Sequence, residues 1–136
     1  MKEVIDDINR WQDEKQPVAL ATVVQTWGSA PRKVGAKMAL TPDGRIAGSV
    51  SGGCVEGAVV EEGTAALQTN HPKLLHFGVA DETAWDVGLA CGGTIEVFVE
   101  PLDTAVYHFM QTLIQNDEAG AAITVIRGPE EMLGRK

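Results

Sequence analysis

Val18-Ala-Leu-Ala-Thr-Val-Val24 is apolar at every position but one and partly β-branched. A strand of that kind has no side to turn to water, so it belongs in the middle of a sheet with further layers packed above and below it. Gln16-Pro17 stands just before it and closes an opening helix. In that helix Val4, Ile5, Ile8 and Trp11 recur at helical spacing, and Asp6 and Asp7 oppose the positive end of the helix dipole.

The remaining periodicities extend this pattern. Residues 36–40 and 45–47 flank Thr41-Pro-Asp-Gly44, whose residue types suit a tight turn, and together they read as a β-hairpin. Residues 54–68 read as a helix with Val55, Ala58, Val59, Ala66 and Leu67 on one stripe. Glu62 interrupts that stripe, and Gly57 and Gly63 weaken it. Leu74 to Val79 resembles a strand, residues 80–93 a polar, Gly-rich connection, and Thr94 to Glu100 alternates as a strand should. There Ile95, Val97 and Val99 form one face and Glu96, Phe98 and Glu100 the other. Val106, Phe109, Met110, Leu113 and Ile114 mark an amphipathic helix capped by Asp103 or Thr104, and Ala121 to Arg127 reads as a last strand. Strands alternating with helices predict an α/β fold. The expectation is a single domain over residues 1–127, with a mixed sheet of about five or six strands flanked by about three helices, and a tail over 128–136.

Composition narrows the function. A chain of 136 residues is long enough to hold a core without staples. Two cysteines and no charged-then-apolar leader argue against a secreted disulfide scaffold, and no apolar run approaches a membrane span, so a cytoplasmic setting is expected. A net charge of −8 disfavours nucleic acid as a partner. The charge is uneven, however. Arg32, Lys33, Lys37 and Arg45 lie within 14 residues alongside one acidic residue, Asp43, so this stretch is either a local contact for an anionic small molecule or a solvated hairpin rim.

The most informative feature is a near-repeat: Gly52-Gly53-Cys54-Val55-Glu56 and Gly92-Gly93-Thr94-Ile95-Glu96, the second preceded by Cys91. Glycine pairs let a backbone approach a ligand closely, and successive amides in such a turn form a nest for anions. In Ser49-Val-Ser51-Gly-Gly-Cys54 the turn also opens the predicted helix, which places Cys54 in its first turn, where a thiolate is favoured. Cys54 and Cys91 then read as nucleophiles, soft-metal ligands or sulfur acceptors, or else as small side chains under tight turns; a disulfide between them is a third reading. Neither short zinc-ligand spacings nor a dinucleotide or Walker fingerprint is present. Ser29 and Arg32, in the loop after the central strand, are placed to reach a ligand, and Arg32 carries a donor fork suited to phosphate. Glu56 and Glu96 read as caps of backbone amides. Trp27 and Trp85 are platforms for a flat heterocycle or core residues.

Three stretches carry a resemblance: residues 28–38 (GSAPRKVGAKM), 43–56 (DGRIAGSVSGGCVE) and 88–101 (GLACGGTIEVFVEP). In this order they resemble the N-terminal domain of the XdhC/CoxI family, accessory proteins of molybdenum hydroxylases such as xanthine dehydrogenase. The resemblance covers roughly residues 1–103. It implies a non-enzymatic chaperone, without catalytic residues, that binds the molybdenum cofactor (molybdopterin). Such a protein shields the cofactor while a cysteine desulfurase installs its sulfido ligand, and delivers it to the apo-hydroxylase. Family members commonly add a C-terminal Rossmann-like domain, for which this sequence shows no counterpart, and the resemblance leaves room for a homodimer. On this reading Cys54 and Cys91 meet the metal-dithiolene end, Gly52, Gly53 and Arg32 hold the anionic phosphate end, and Ser29, Ser51, Gly92 and Gly93 line the rest of the cofactor. The alternatives are a thiol redox switch or a protein-interaction module of a maturation complex.

Overall fold

The computed structural model describes residues 1–78 and 92–136. Helix α1 (Ile5–Asp13) leads into β1 (Ala19–Trp27), then the hairpin β2 (Lys37–Leu40) and β3 (Ile46–Gly48), helix α2 (Glu56–Thr69), β4 (Lys73–Phe77), β5 (Thr94–Pro101) and helix α3 (Thr104–Gln115). A single 3-10 turn, Glu130–Met132, lies near the end. The sheet order is β3-β2-β1-β5-β4.

Val18-Val24 behaves as its composition demands. Strand β1 is central, and Ala19, Ala21 and Val23 face one core while Leu20 faces another. In the first core, Ile95, Val97 and Val99 of β5 and Leu75 and Phe77 of β4 meet Val59 and Ala66 of α2. In the second, Leu20 and Ala39 meet Val4, Ile8 and Trp11 of the α1 segment and Tyr107 of α3. Tyr107 ties the two helices together: its single O–H is shared between Asn9 Oδ1 at 2.6 Å and the Ile5 carbonyl at 3.1 Å. Gly63 lets α2 come down on the sheet, since a Cβ there would lie 2.7 Å from Leu40 Cδ2. The glycine that weakens the helix is the one that permits its packing.

The α/β class, the opening helix, the hairpin and a third helix are as expected, and Asp103 is the cap of α3, accepting from the Val106 amide at 3.0 Å; the stripe is corrected in that α3 buries Tyr107, while Phe109 is 53% exposed. The expected mixed sheet is not what forms. All four strand pairings are antiparallel. Strands β3 and β4 do run parallel across α2, as a β-α-β reading requires, but α2 carries the chain from one edge of the sheet to the other. Three antiparallel strands lie between them, so no parallel pair arises among the described residues. The expected strand 121–127 is also absent. That segment is extended but lies over the face of the sheet, with Ala122, Thr124 and Ile126 turned to a cavity there. Its ladder contacts are two bonds between Val125 and the tail: the Val125 amide to the Arg135 carbonyl, and the Gly134 amide to the Val125 carbonyl. The polar side of β5 is covered as well, since Phe98 and Glu96 are both buried. Val79 and most of the 80–93 connection lie outside the described residues.

Candidate functional site

Three connections leave the sheet at one end: residues 28–36 between β1 and β2, residues 49–55 between β3 and α2, and the segment that re-enters β5 through Gly92-Gly93. They pack on one another. A Cβ at Gly52 would sit 3.7 Å from Pro31 Cβ, and one at Gly93 would collide with the carbonyl oxygen of Ser29. Arg32 Nε donates to the Ser49 carbonyl at 3.2 Å. Ser29, Arg32, Ser51, Gly52, Gly53, Cys54, Gly92 and Gly93 are thus gathered at one end of the fold, although the sequence spreads them over 65 positions. Cys91 and Trp85 lie outside the described residues.

The 49–55 loop is built around Glu56. This carboxylate, at the first position of α2, folds back into the turn. Its Oε1 accepts from Ser49 Oγ (2.7 Å), the Val50 amide (3.2 Å) and the Ser51 amide (2.9 Å); its Oε2 accepts from Ser51 Oγ (2.6 Å) and the Gly53 amide (2.9 Å). The Ser51 hydroxyl, 1% exposed, donates to Glu56 and accepts the amides of Cys54 and Val55, which exhausts its bonding capacity. The Gly52 amide goes to Ser49 Oγ at 2.8 Å. Every amide from Val50 to Val55 therefore has a partner inside the loop. Burial works against a charge on Glu56, but the donors from Ser51 and Ser49 outweigh it and hold the carboxyl at about 2.

This changes the expected chemistry of the glycine loop. The nest of amides exists, with Gly52 and Gly53 at positive φ, but the anion in it is the protein's own. A ligand phosphate would find these donors already engaged. Cys54 is also placed differently: α2 begins at Glu56 with Val55 as its cap, so the thiol stands ahead of the helix rather than in its first turn. It is exposed on a loop held from beneath by Ser51 and Glu56. The spacing Gly53-Cys-Val-Glu56 carried the signal, since a side chain reaching back over three residues to an amide is half of a capping box.

The basic cluster of residues 32–45 disperses. Arg32 stays at the loop end, paired with Glu3 at 2.7 Å, beside an open cleft of about 350 Å3 lined by Pro31, Arg32, Lys33 and Ala36. Arg45 lies at the other end of the sheet, paired with Glu14 and Asp43 and set over the Trp11 ring. Lys37 projects to the sheet face away from α2, where its Nζ donates to Thr22 Oγ1 at 2.9 Å. Glu3, which also accepts the Lys37 amide, was invisible to sequence reasoning because its partners are some thirty positions away. Trp27 is 43% exposed at the same end as the loops, with its ring 6.1 Å from that of His76, so it is not a core residue. Glu96 is not an amide cap: its carboxylate pairs with Arg127 and lies 3.6 Å from His76 Nδ1.

Comparison with known proteins points in one direction. The sequence model of the XdhC and CoxI family matches residues 11–78. The chain is 31% identical over 116 residues to a probable xanthine dehydrogenase subunit of Bacillus subtilis (strain 168), covering 84% of this chain and 35% of that protein. It is 37% identical over 87 residues to the molybdenum cofactor insertion chaperone PaoD of Escherichia coli (strain K12), covering 63% and 27%. An uncharacterized protein of the same strain, YqeB, is 38% identical over 96 residues, covering 71% and 18%. Among solved structures, a crystal structure of a xanthine dehydrogenase from Bacillus halodurans superimposes with a TM-score of 0.67 at 29% identity, over 82% of this chain and 34% of that one. The chain thus spans about a third or less of the length of each of these proteins. No helix of the described residues is long and apolar enough to cross a membrane.

Proposed function

The chain belongs to the XdhC and CoxI family, and from that premise we propose that it handles the molybdenum cofactor on its way into a molybdenum hydroxylase of the xanthine dehydrogenase type. The observation that carries the reading is the convergence of the three family-like loops at one end of the sheet, with an exposed thiol, Cys54, on a loop whose amides from Val50 to Val55 are internally bound. The names of two relatives, an insertion chaperone and a xanthine dehydrogenase subunit, support it.

The residues present fit such a cargo unevenly. A thiolate is a suitable soft contact for a metal-dithiolene centre, and Cys54 is accessible without rearrangement. The phosphate end falls to Arg32 and Lys33 beside their cleft, because the amides of the glycine loop are engaged by Glu56. Among the described residues Trp27, exposed next to Gly28, offers an aromatic surface at the same end as these loops. Within the proposal, Ser29, Ser51, Gly52, Gly53, Gly92 and Gly93 shape the contact surface and Cys91 is a second thiol contact. Shielding of the cofactor during sulfuration by a cysteine desulfurase and delivery to the apo-hydroxylase are the finer steps of the same proposal. The protein acts as a carrier rather than as an enzyme.

Cofactor retention tests this. The purified protein, loaded with molybdenum cofactor, should retain it through gel filtration, and Cys54→Ala should release it while unfolding at the wild-type temperature. If Cys54→Ala and Cys91→Ala both fold and retain cofactor like wild type, the thiols have no part in binding.

A further inference from the structure

On the sheet face away from α2, a cavity of about 350 Å3 lies between the sheet, α3 and the extended segment 122–126. Its walls are largely apolar, with Leu20, Phe98, Val106, Met110 and Ile126 contributing. A cavity of that size lies in the range of small-molecule sites. Its charged groups are few. The Lys37 ammonium enters from β2, and its one hydrogen-bond partner among the described residues is the neutral Thr22 hydroxyl. Glu100, a carboxylate of the lining whose charge favours the Lys37 ammonium, accepts two bonds from Lys136, at 2.7 and 2.6 Å. Asp103 also lines the cavity but its Oδ1 accepts from the Val106 amide. Among the described residues Lys37 therefore has no carboxylate in hydrogen-bond contact, Glu100 being bonded to Lys136, while the Met1 α-amino group adds a further positive charge to the lining. Burial pulls the Lys37 ammonium below its ordinary range, as expected of a charge lacking a full partner.

We propose that this cavity is a ligand site separate from the loop end, and that it takes a small organic acid with its carboxylate on Lys37 Nζ and Thr22 Oγ1 and its apolar body along Leu20, Phe98 and Met110. The chemistry is that of an amphipathic anion: a carboxylate supplies the missing partner of a half-satisfied lysine, and the hydrocarbon replaces void. Lys37 lies in the stretch that resembles the family motif, yet it points away from the loops, on the face opposite to its neighbour Met38.

Octanoate is a suitable probe, with octan-1-ol as its neutral counterpart, and the four methionines report where it binds. Met1 and Met110 line the cavity, Met38 is buried in the core against α2, and Met132 lies on the 3-10 turn. With 13C-labelled methionine methyl groups, titration with octanoate should shift Met1 and Met110 and leave Met38 and Met132 in place. Octan-1-ol should bind at least about tenfold more weakly, and Lys37→Met should weaken octanoate by a similar factor. Thr22→Val, which keeps the lysine, serves if Lys37→Met does not fold, and should give a smaller loss in the same direction. Equal affinity for acid and alcohol, no binding of octanoate, or shifts at Met38 and Met132 would each overturn the proposal. None of these results bears on Cys54 or cofactor retention, which are read at the other end of the sheet.

Discussion

The Ser51 hydroxyl donates to Glu56 Oε2 at 2.6 Å while accepting the amides of Cys54 and Val55, so one buried serine and one carboxylate hold the whole turn that presents the thiol. The pair explains how a loop with two adjacent glycines keeps a defined shape. Backbone freedom that would otherwise be lost only at entropic cost is offset by charge-assisted bonds to a single acceptor.

Glu56→Ala strips a partner from the amides of Val50, Ser51 and Gly53 and from two serine hydroxyls. It should lower stability in denaturant unfolding by about 2 kcal/mol, with Glu56→Gln intermediate because the amide keeps one acceptor oxygen. A change under about 0.5 kcal/mol would mean that water replaces the carboxylate at no cost.

Stability should also depend on pH through this residue. The folded carboxyl sits at about 2 against an ordinary 4.5. A depressed acid contributes stability that is fully present above the unfolded value and lost as pH falls from about 5 towards 2. Wild type should lose stability over that window more steeply than Glu56→Gln. The difference between the two curves isolates Glu56, because Glu3 is held below its ordinary value by the Lys37 amide and Arg32 and slopes the same way. Parallel curves would contradict the assignment.

The contact between Gly93 and Ser29 predicts a contrast between two neighbouring glycines. A Cβ at Gly93 meets the Ser29 carbonyl oxygen, whereas at Gly92 it meets none of the described residues within 4 Å and a positive φ opposes it. Gly93→Ala should cost about 2 kcal/mol or more through overpacking, and Gly92→Ala about 1 kcal/mol. Equal costs in thermal unfolding would show that the loops do not press together as described.

Arg32 offers a test of the phosphate end that leaves Cys54 untouched. Its ion pair with Glu3 is about a third exposed on both sides, so Glu3→Gln should change stability by less than about 1 kcal/mol. Freed of that partner, the guanidinium should bind pyrophosphate about threefold to tenfold more tightly by calorimetry, and Arg32→Ala should bind it more weakly than wild type. If neither substitution moves the affinity, Arg32 is not the anion contact.

Much of this was legible in the residues themselves. The apolar run at 18–24 required a strand covered on both faces, the 3.6-residue stripes marked α1 and α3, and Thr41-Pro-Asp-Gly44 marked the hairpin, because burial periodicity and turn chemistry are local properties of the chain. The glycine-serine-cysteine stretch announced a special loop, and Glu56 at its end was within reach of a capping argument. Strand direction was not readable in the same way. It depended on α2 carrying the chain across the full width of the sheet, so that two parallel strands ended at opposite edges. Nor did charge proximity along the chain survive folding. Arg32, Lys37 and Arg45 are neighbours in sequence, yet they reach the loop end, the cavity and the far turn respectively, because a strand alternates its sides and a hairpin reverses its ends. What the sequence determined was what each segment must bury; which distant groups then met, Arg32 with Glu3 and Gly93 with Ser29, was decided only when the segments packed, since those contacts join elements whose separation along the chain carries no periodic signal.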